Sequence, residues 1–188
     1  MENLFTPRLL LGVALMFSAT AYGQDSNTDN HTVAVTIPEV ALVDIEPAAD
    51  KNITLGFTPP TEAGEPVTAE EENSTLWLNY SSIKSTTDAT RNVSVRLSTL
   101  IPGVDLQVTA ATVSGIGEGT FGTPSAQLTL SETDQTIISG IGSAYTGNGS
   151  TNGHNLTYAI SSGTVGDYAD LEASTSPVTT VTYTISDN

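Results

Sequence analysis

The chain has 188 residues, 21 Asp and Glu against 5 Lys and Arg, a formal net charge of −16 and no cysteine. The missing thiols exclude disulfides, thiolate metal sites and cysteine nucleophiles together. The acidity makes nucleic acid and anionic lipid poor partners, because a surface of that sign repels both.

In chain order, residues 1–23 read as a cleaved secretory signal peptide. Arg8 precedes an apolar run from Leu9 to Phe17, too short to span a bilayer as a helix. Small Ala21 and Gly23 then stand at the −3 and −1 positions of a cut before Gln24. With no cysteine after the run, a lipoprotein anchor is excluded. The signal removes Glu2 and Arg8 together, so the charge of the mature chain is unchanged. Gln24–Asn188 is long enough for one domain with a core, and no second apolar stretch could cross a membrane. The expectation is an exported protein with no membrane insertion after signal removal.

Residues 24–31 are polar and aperiodic, a flexible leader. His31–Ile45 then alternates: Val33, Val35, Ile37, Ala41, Val43 and Ile45 share one parity. Side chains two apart lie on one face of a strand, and β-branched residues suit a half-buried pleat. Pro38 interrupts the run and marks an edge, a bulge or a break between two shorter strands. Further alternating runs follow at Ile53–Phe57, Leu76–Tyr80, Val93–Leu97, Val104–Ala110, Leu128–Leu130 and Leu156–Ile160, with another beginning at Ile137. Pro59-Pro60, Pro102-Gly103 and the Asn-Gly pairs at 148–149 and 152–153 supply turns between them. His154 falls in that last glycine-rich stretch and reads as a loop residue. The chain closes on Val178–Ile185, where Val181, Tyr183 and Ile185 share one face. No amphipathic helix is predicted after the signal. The fold class expected is all-β: a single immunoglobulin-like or pilin-like antiparallel β-sandwich over residues 32–188, with 32–45 a candidate donor strand.

The catalytic content is thin. Gly117–Gly122 matches G-x-G-x-x-G, but that pattern cradles phosphate only where a helix opens after a strand, and here it lies among hairpins. Asp25–Asp29 and Asn148–Gly153 echo calcium-loop spacing without the acidic twelfth residue. No G-x-S-x-G or H-E-x-x-H occurs, and the acids lie mostly in loops. No enzyme activity, cofactor or metal is expected. Trp77 and Tyr80 are the candidate ligand-binding residues of an alternative reading, a secreted carbohydrate-binding or adhesin module, because aromatic faces can stack on sugars.

The layout of signal peptide, short polar leader, alternating first run, sandwich and alternating last strand resembles chaperone–usher-type pilus subunits of bacteria. In that family the sandwich is one strand short, and the next subunit's leader completes it by β-augmentation. The resemblance implies that Val33, Val35 and Ile37 fill pockets and that Val181, Tyr183 and Ile185 line the acceptor groove. It implies as partners copies of the same chain, or other surface subunits, in a fibre (a fimbrium or pilus) at the bacterial cell surface, reached through the periplasm. Two features depart from the family: Asp187 stands where a penultimate tyrosine is common, and the frequent cysteine pair is missing.

Overall fold

The computed structural model describes residues 27–163, 168–173 and 178–188. The expected signal peptide, its cut site and Asp25 lie outside the described residues. The chain divides into two units, residues 1–36 and residues 37–188. The described part of the first unit, 27–36, contains no strand or helix and is exposed throughout.

The second unit is built of strands. In chain order they are β1 (Val40–Glu46), β2 (Phe57–Thr58), β3 (Thr68–Ala69), β4 (Asn73–Ile83), β5 (Arg91–Leu97) and β6 (Val104–Ala110). Then come β7 (Glu118–Gly119), β8 (Thr123–Pro124), β9 (Leu128–Thr129), β10 (Gln135–Ile141), β11 (Ala144–Tyr145), β12 (His154–Ser162) and β13 (Val181–Asp187). The single helical element among the described residues is a 3-10 turn at Tyr168–Asp170. No helix among them is long and apolar enough to cross a membrane.

The architecture is an all-β antiparallel sandwich. One sheet runs β7-β11-β4-β12-β6-β9, with β1 added against β4; the other runs β13-β5-β10-β8. A small β2–β3 ribbon stands apart. Alternation explains the core. In β5, Val93, Val95 and Leu97 are buried while Arg96 between them is exposed. Leu76, Leu78, Val108 and Leu156 of the larger sheet face Val93, Val95, Ile137 and Ile138 of the smaller. Each such side chain, once removed from water, contributes roughly 1.5–3 kcal/mol before chain entropy is charged against it.

Three local expectations change. The His31–Ile45 run is not one strand: β1 begins only at Val40, beyond Pro38, whose nitrogen cannot donate to a ladder. Ile53–Phe57 is not a strand either; only Phe57–Thr58 pairs, with Thr68–Ala69, ahead of the Pro59-Pro60 stop. His154 heads β12 and is fully buried rather than sitting in a loop. Gly153 delivers it there with φ of 81°, and a Cβ at that glycine would sit 2.3 Å from the Leu78 carbonyl oxygen.

Candidate functional site

The first and last strands of the second unit, β1 and β13, each have one partner strand, β4 and β5 respectively. They edge the two different sheets and come near each other, so the seam between them decides whether the sandwich is closed on that side.

At one end it is closed, by Arg91. This residue occupies the inward parity of β5, ahead of Val93, Val95 and Leu97, and its side chain is 1% exposed. Its Nε donates to Asp187 Oδ1 at 2.7 Å, and the β13–β5 register sets Asp187 directly opposite it. The other guanidinium nitrogens donate to the Glu39 carboxylate, the Val40 carbonyl and, at 3.1 Å, the Ile83 carbonyl. One cation therefore ties the entry to β1, the end of β4 and the end of β13. Carboxylate oxygens of Glu39, Asp88 and Asp187 lie within 4.8 Å of one another, an arrangement able to hold a cation. Arg91 already neutralises two of the three.

At the other end the seam is open. A cavity of about 1540 Å³ lies there, lined from β1 by Val43 and Ile45 and from the last strand region by Val178, Val181 and Tyr183. Ile53, Leu55, Leu106 and Ile160 are among its further apolar residues, and Asp44, Lys51, Asp170 and Glu172 also line it. Ile185, one step further along β13, packs on the core instead of lining the cavity. Deep in the opening the hydroxyls of Tyr158 (β12) and Tyr183 (β13) meet at 2.7 Å and link the two sheets. Burial pushes the Tyr158 hydroxyl up to about 12, and it pushes Tyr183 well above the usual phenol value, helped by its tyrosine neighbour.

The segment ahead of β1 shows the opposite imbalance. Val33, Val35 and Ile37 are 71%, 78% and 71% exposed. Three alternate apolar side chains are thus left in water.

No protein-family model, curated protein sequence or solved structure matches this chain. The site's own chemistry has to carry the reading.

The remaining sequence candidates resolve as follows. Trp77 is half-buried on the outer face of β4, whereas Tyr80 is 3% exposed in the core. Positions three apart on a strand lie on opposite faces, so the two share no surface. Tyr80 instead stacks on His154, with ring centroids 5.7 Å apart, and its hydroxyl donates to the Phe121 carbonyl. His154 Nδ1 lies 2.8 Å from the Ala111 carbonyl oxygen, so that nitrogen carries the proton. Burial lowers the His154 pKa. With Nδ1 bound to a carbonyl and Nε2 facing the Tyr80 hydroxyl at 3.3 Å, the ring serves the core. In the G-x-G-x-x-G segment, a Cβ on Gly117 would lie 2.4 Å from the Tyr145 carbonyl oxygen and one on Gly119 2.3 Å from that of Ser143. Those glycines permit close strand approach, and a strand pair, β7 with β11, occupies the place a phosphate would need. In the 148–153 loop, Asn152 Nδ2 donates to the Asn148 carbonyl and its Oδ1 accepts from the Ile116 amide, so the Asn152 side chain, one of three with calcium-like spacing, is spent internally.

Sequence reasoning missed Arg91. The signal was present: a charged residue in phase with Val93, Val95 and Leu97.

Proposed function

We propose that this chain is a structural subunit of an extracellular bacterial surface fibre, joined to its neighbours by strand addition. The Val33–Ile37 segment of one copy inserts into the open seam of the next. One observation carries this reading: a cavity with a mostly apolar lining lies between the first and last strands, while three alternate apolar side chains of the same chain stay exposed. The lengths agree. Five extended residues span about 17 Å, and the lining stretch 178–183 spans roughly 20 Å if extended. Main-chain hydrogen bonds to the free edges of β1 and β13 would supply affinity, and burial of Val33, Val35 and Ile37 would add roughly 1.5–3 kcal/mol each. Secretion and a bacterial surface location belong to the same proposal.

The test is the migration of surface-extracted protein on a denaturing gel, unboiled beside boiled. The expected result is a ladder of multiples that collapses on boiling, and that is missing from a Val33→Asp, Val35→Asp, Ile37→Asp triple variant that still melts cooperatively. A single monomer band in both lanes for the unaltered protein would sink the proposal.

A further inference from the structure

On the outside of the larger sheet, away from the seam, the register aligns three strands. Leu42 and Tyr145 flank Ser81 from β1 and β11, and Asp44 stands opposite Asn79 on β4. Next along, Trp77 is flanked by Glu46 and by Asn155 of β12. Ser81 is small, whereas Leu42 and Tyr145 on either side of it are large and stay 66% and 46% exposed. A cleft of about 330 Å³ results, whose lining includes Leu42, Asp44, Asn79, Ser81, Tyr145 and Asn148.

Asn79 makes this cleft more than a surface dent. It is 5% exposed, and its Nδ2 donates to the Asn152 carbonyl at 2.7 Å. That bond fixes which way the amide faces and leaves Oδ1 as the one buried side-chain polar atom without a hydrogen-bond partner among the described residues. A buried acceptor without a donor is costly, and because this one is closed to solvent, a ligand donor relieves the cost only when the Asn79 amide shifts toward the cleft. Asp44 adds a second acceptor: its Oδ1 takes the Ile45 amide, and the carboxylate keeps further lone pairs.

We infer that this cleft is a binding site for a neutral carbohydrate ring. Its lining carries Asp44 but no Lys or Arg, so an anionic ligand is repelled. Tyr145 and Leu42 offer an apolar platform, and the polar groups beside them are acceptors and an amide, which suit hydroxyl groups. A ring with one apolar face and several hydroxyl donors meets all of these demands at once. The site stands independently of the seam and of the fibre reading.

The experiment is a titration of the ¹⁵N-labelled protein with maltotetraose, cellotetraose, mannotetraose and chitotetraose, with lysine and spermidine as cationic comparators. The expected result is saturable movement of the Asn79 side-chain amide and the Trp77 indole resonance with at least one oligosaccharide. Tyr145→Ala and Asp44→Ala, both at exposed positions, should each weaken that binding about tenfold or more while leaving the melting temperature unchanged. Two results would overturn the inference: no movement of Asn79 with any of the four sugars at about 10 mM, roughly ten times a Kd of 1 mM, or movement with the cationic comparators alone. Sugar binding that survives Tyr145→Ala undiminished would do the same.

Discussion

The two ends of the seam between β1 and β13 are built on opposite principles. At the closed end one buried guanidinium gathers two carboxylates and two main-chain carbonyls. At the open end apolar walls stand apart around a cavity, bridged below by two hydroxyls. A directional, charged clasp fixes where the strands meet. A non-directional apolar opening leaves unspecified what covers it. The difference teaches that the sandwich is anchored by a clasp at one end of the seam and keeps a cavity at the other.

Removing the clasp should have the largest effect. Arg91→Leu leaves two carbonyls without donors and two carboxylates without their cation. Because Glu39 and Asp187 are about half exposed, water can take over part of the lost pairing. The loss of unfolding free energy should therefore fall near the low end of the range for broken buried pairs, about 3 kcal/mol, read from urea midpoints. An unchanged midpoint would mean that the closed end is not held by Arg91.

Alkali should act on the open end instead. The Tyr158 and Tyr183 hydroxyls are raised in the folded chain, so the folded state keeps their protons after the unfolded chain begins to lose them near pH 10. Stability contributed by this pair is fully present below pH 10 and falls as pH rises toward 12, by up to about 1.4 kcal/mol per pH unit and group. Burial raises Tyr80 in the same direction, so the Tyr158→Phe, Tyr183→Phe double variant should flatten the decline without abolishing it. An alkaline melting series that is identical in the double variant would show that the open end is not what alkali attacks.

Acid offers a control that touches neither end. His154 is lowered in the folded chain by burial, so in mildly acidic solution the unfolded chain binds a proton that the folded chain refuses. Stability should be level above the ordinary histidine value near 6.5 and fall as pH drops below it. His154→Asn retains an amide able to donate to the Ala111 carbonyl and should remove that dependence between about pH 6.5 and 5. If the slope persists in the variant, the acid effect does not come from His154.

How far the sequence foretold this molecule depends on what each feature is made of. Strand positions were legible because Val93, Val95 and Leu97, or Leu76 and Leu78, alternate with polar residues, and the period-2 pattern is local. The sheet class followed from turn residues between such runs. The seam was only half legible: the shared parity of Val33, Val35 and Ile37 could be read, but their exposure and whether β1 paired within the chain could not. That depends on β4 being long enough, eleven residues, to take β1 along one edge and both β12 and β11 along the other. Tyr80 was misgrouped with Trp77 by aromaticity when its parity already set it inward. The Asn79 cleft was invisible, because it is made by register among three strands distant in sequence. Arg91 lay between: its phase announced burial, but its partners, Glu39 and Asp187, come from opposite ends of the chain.

Glu39 gives the finest cut through the comparison. It is the acid nearest the point where β1 begins, and 52% of its side chain is exposed, so its pairing with Arg91 is screened on one side. Glu39→Gln keeps an acceptor for Arg91 and removes the charge. The cost should be small, about 0.2–1 kcal/mol, and should shrink as salt is added. Asp187→Asn, on the other strand at similar exposure, should behave alike, since both acids answer the same guanidinium. The informative quantity is the double variant. If the two acids act only through Arg91, their effects are coupled: after one is gone, Arg91 is the poorer for it and the second loss costs more. Strict additivity would mean that each acid is held by its own strand, and the closed end would then be two separate contacts instead of one clasp.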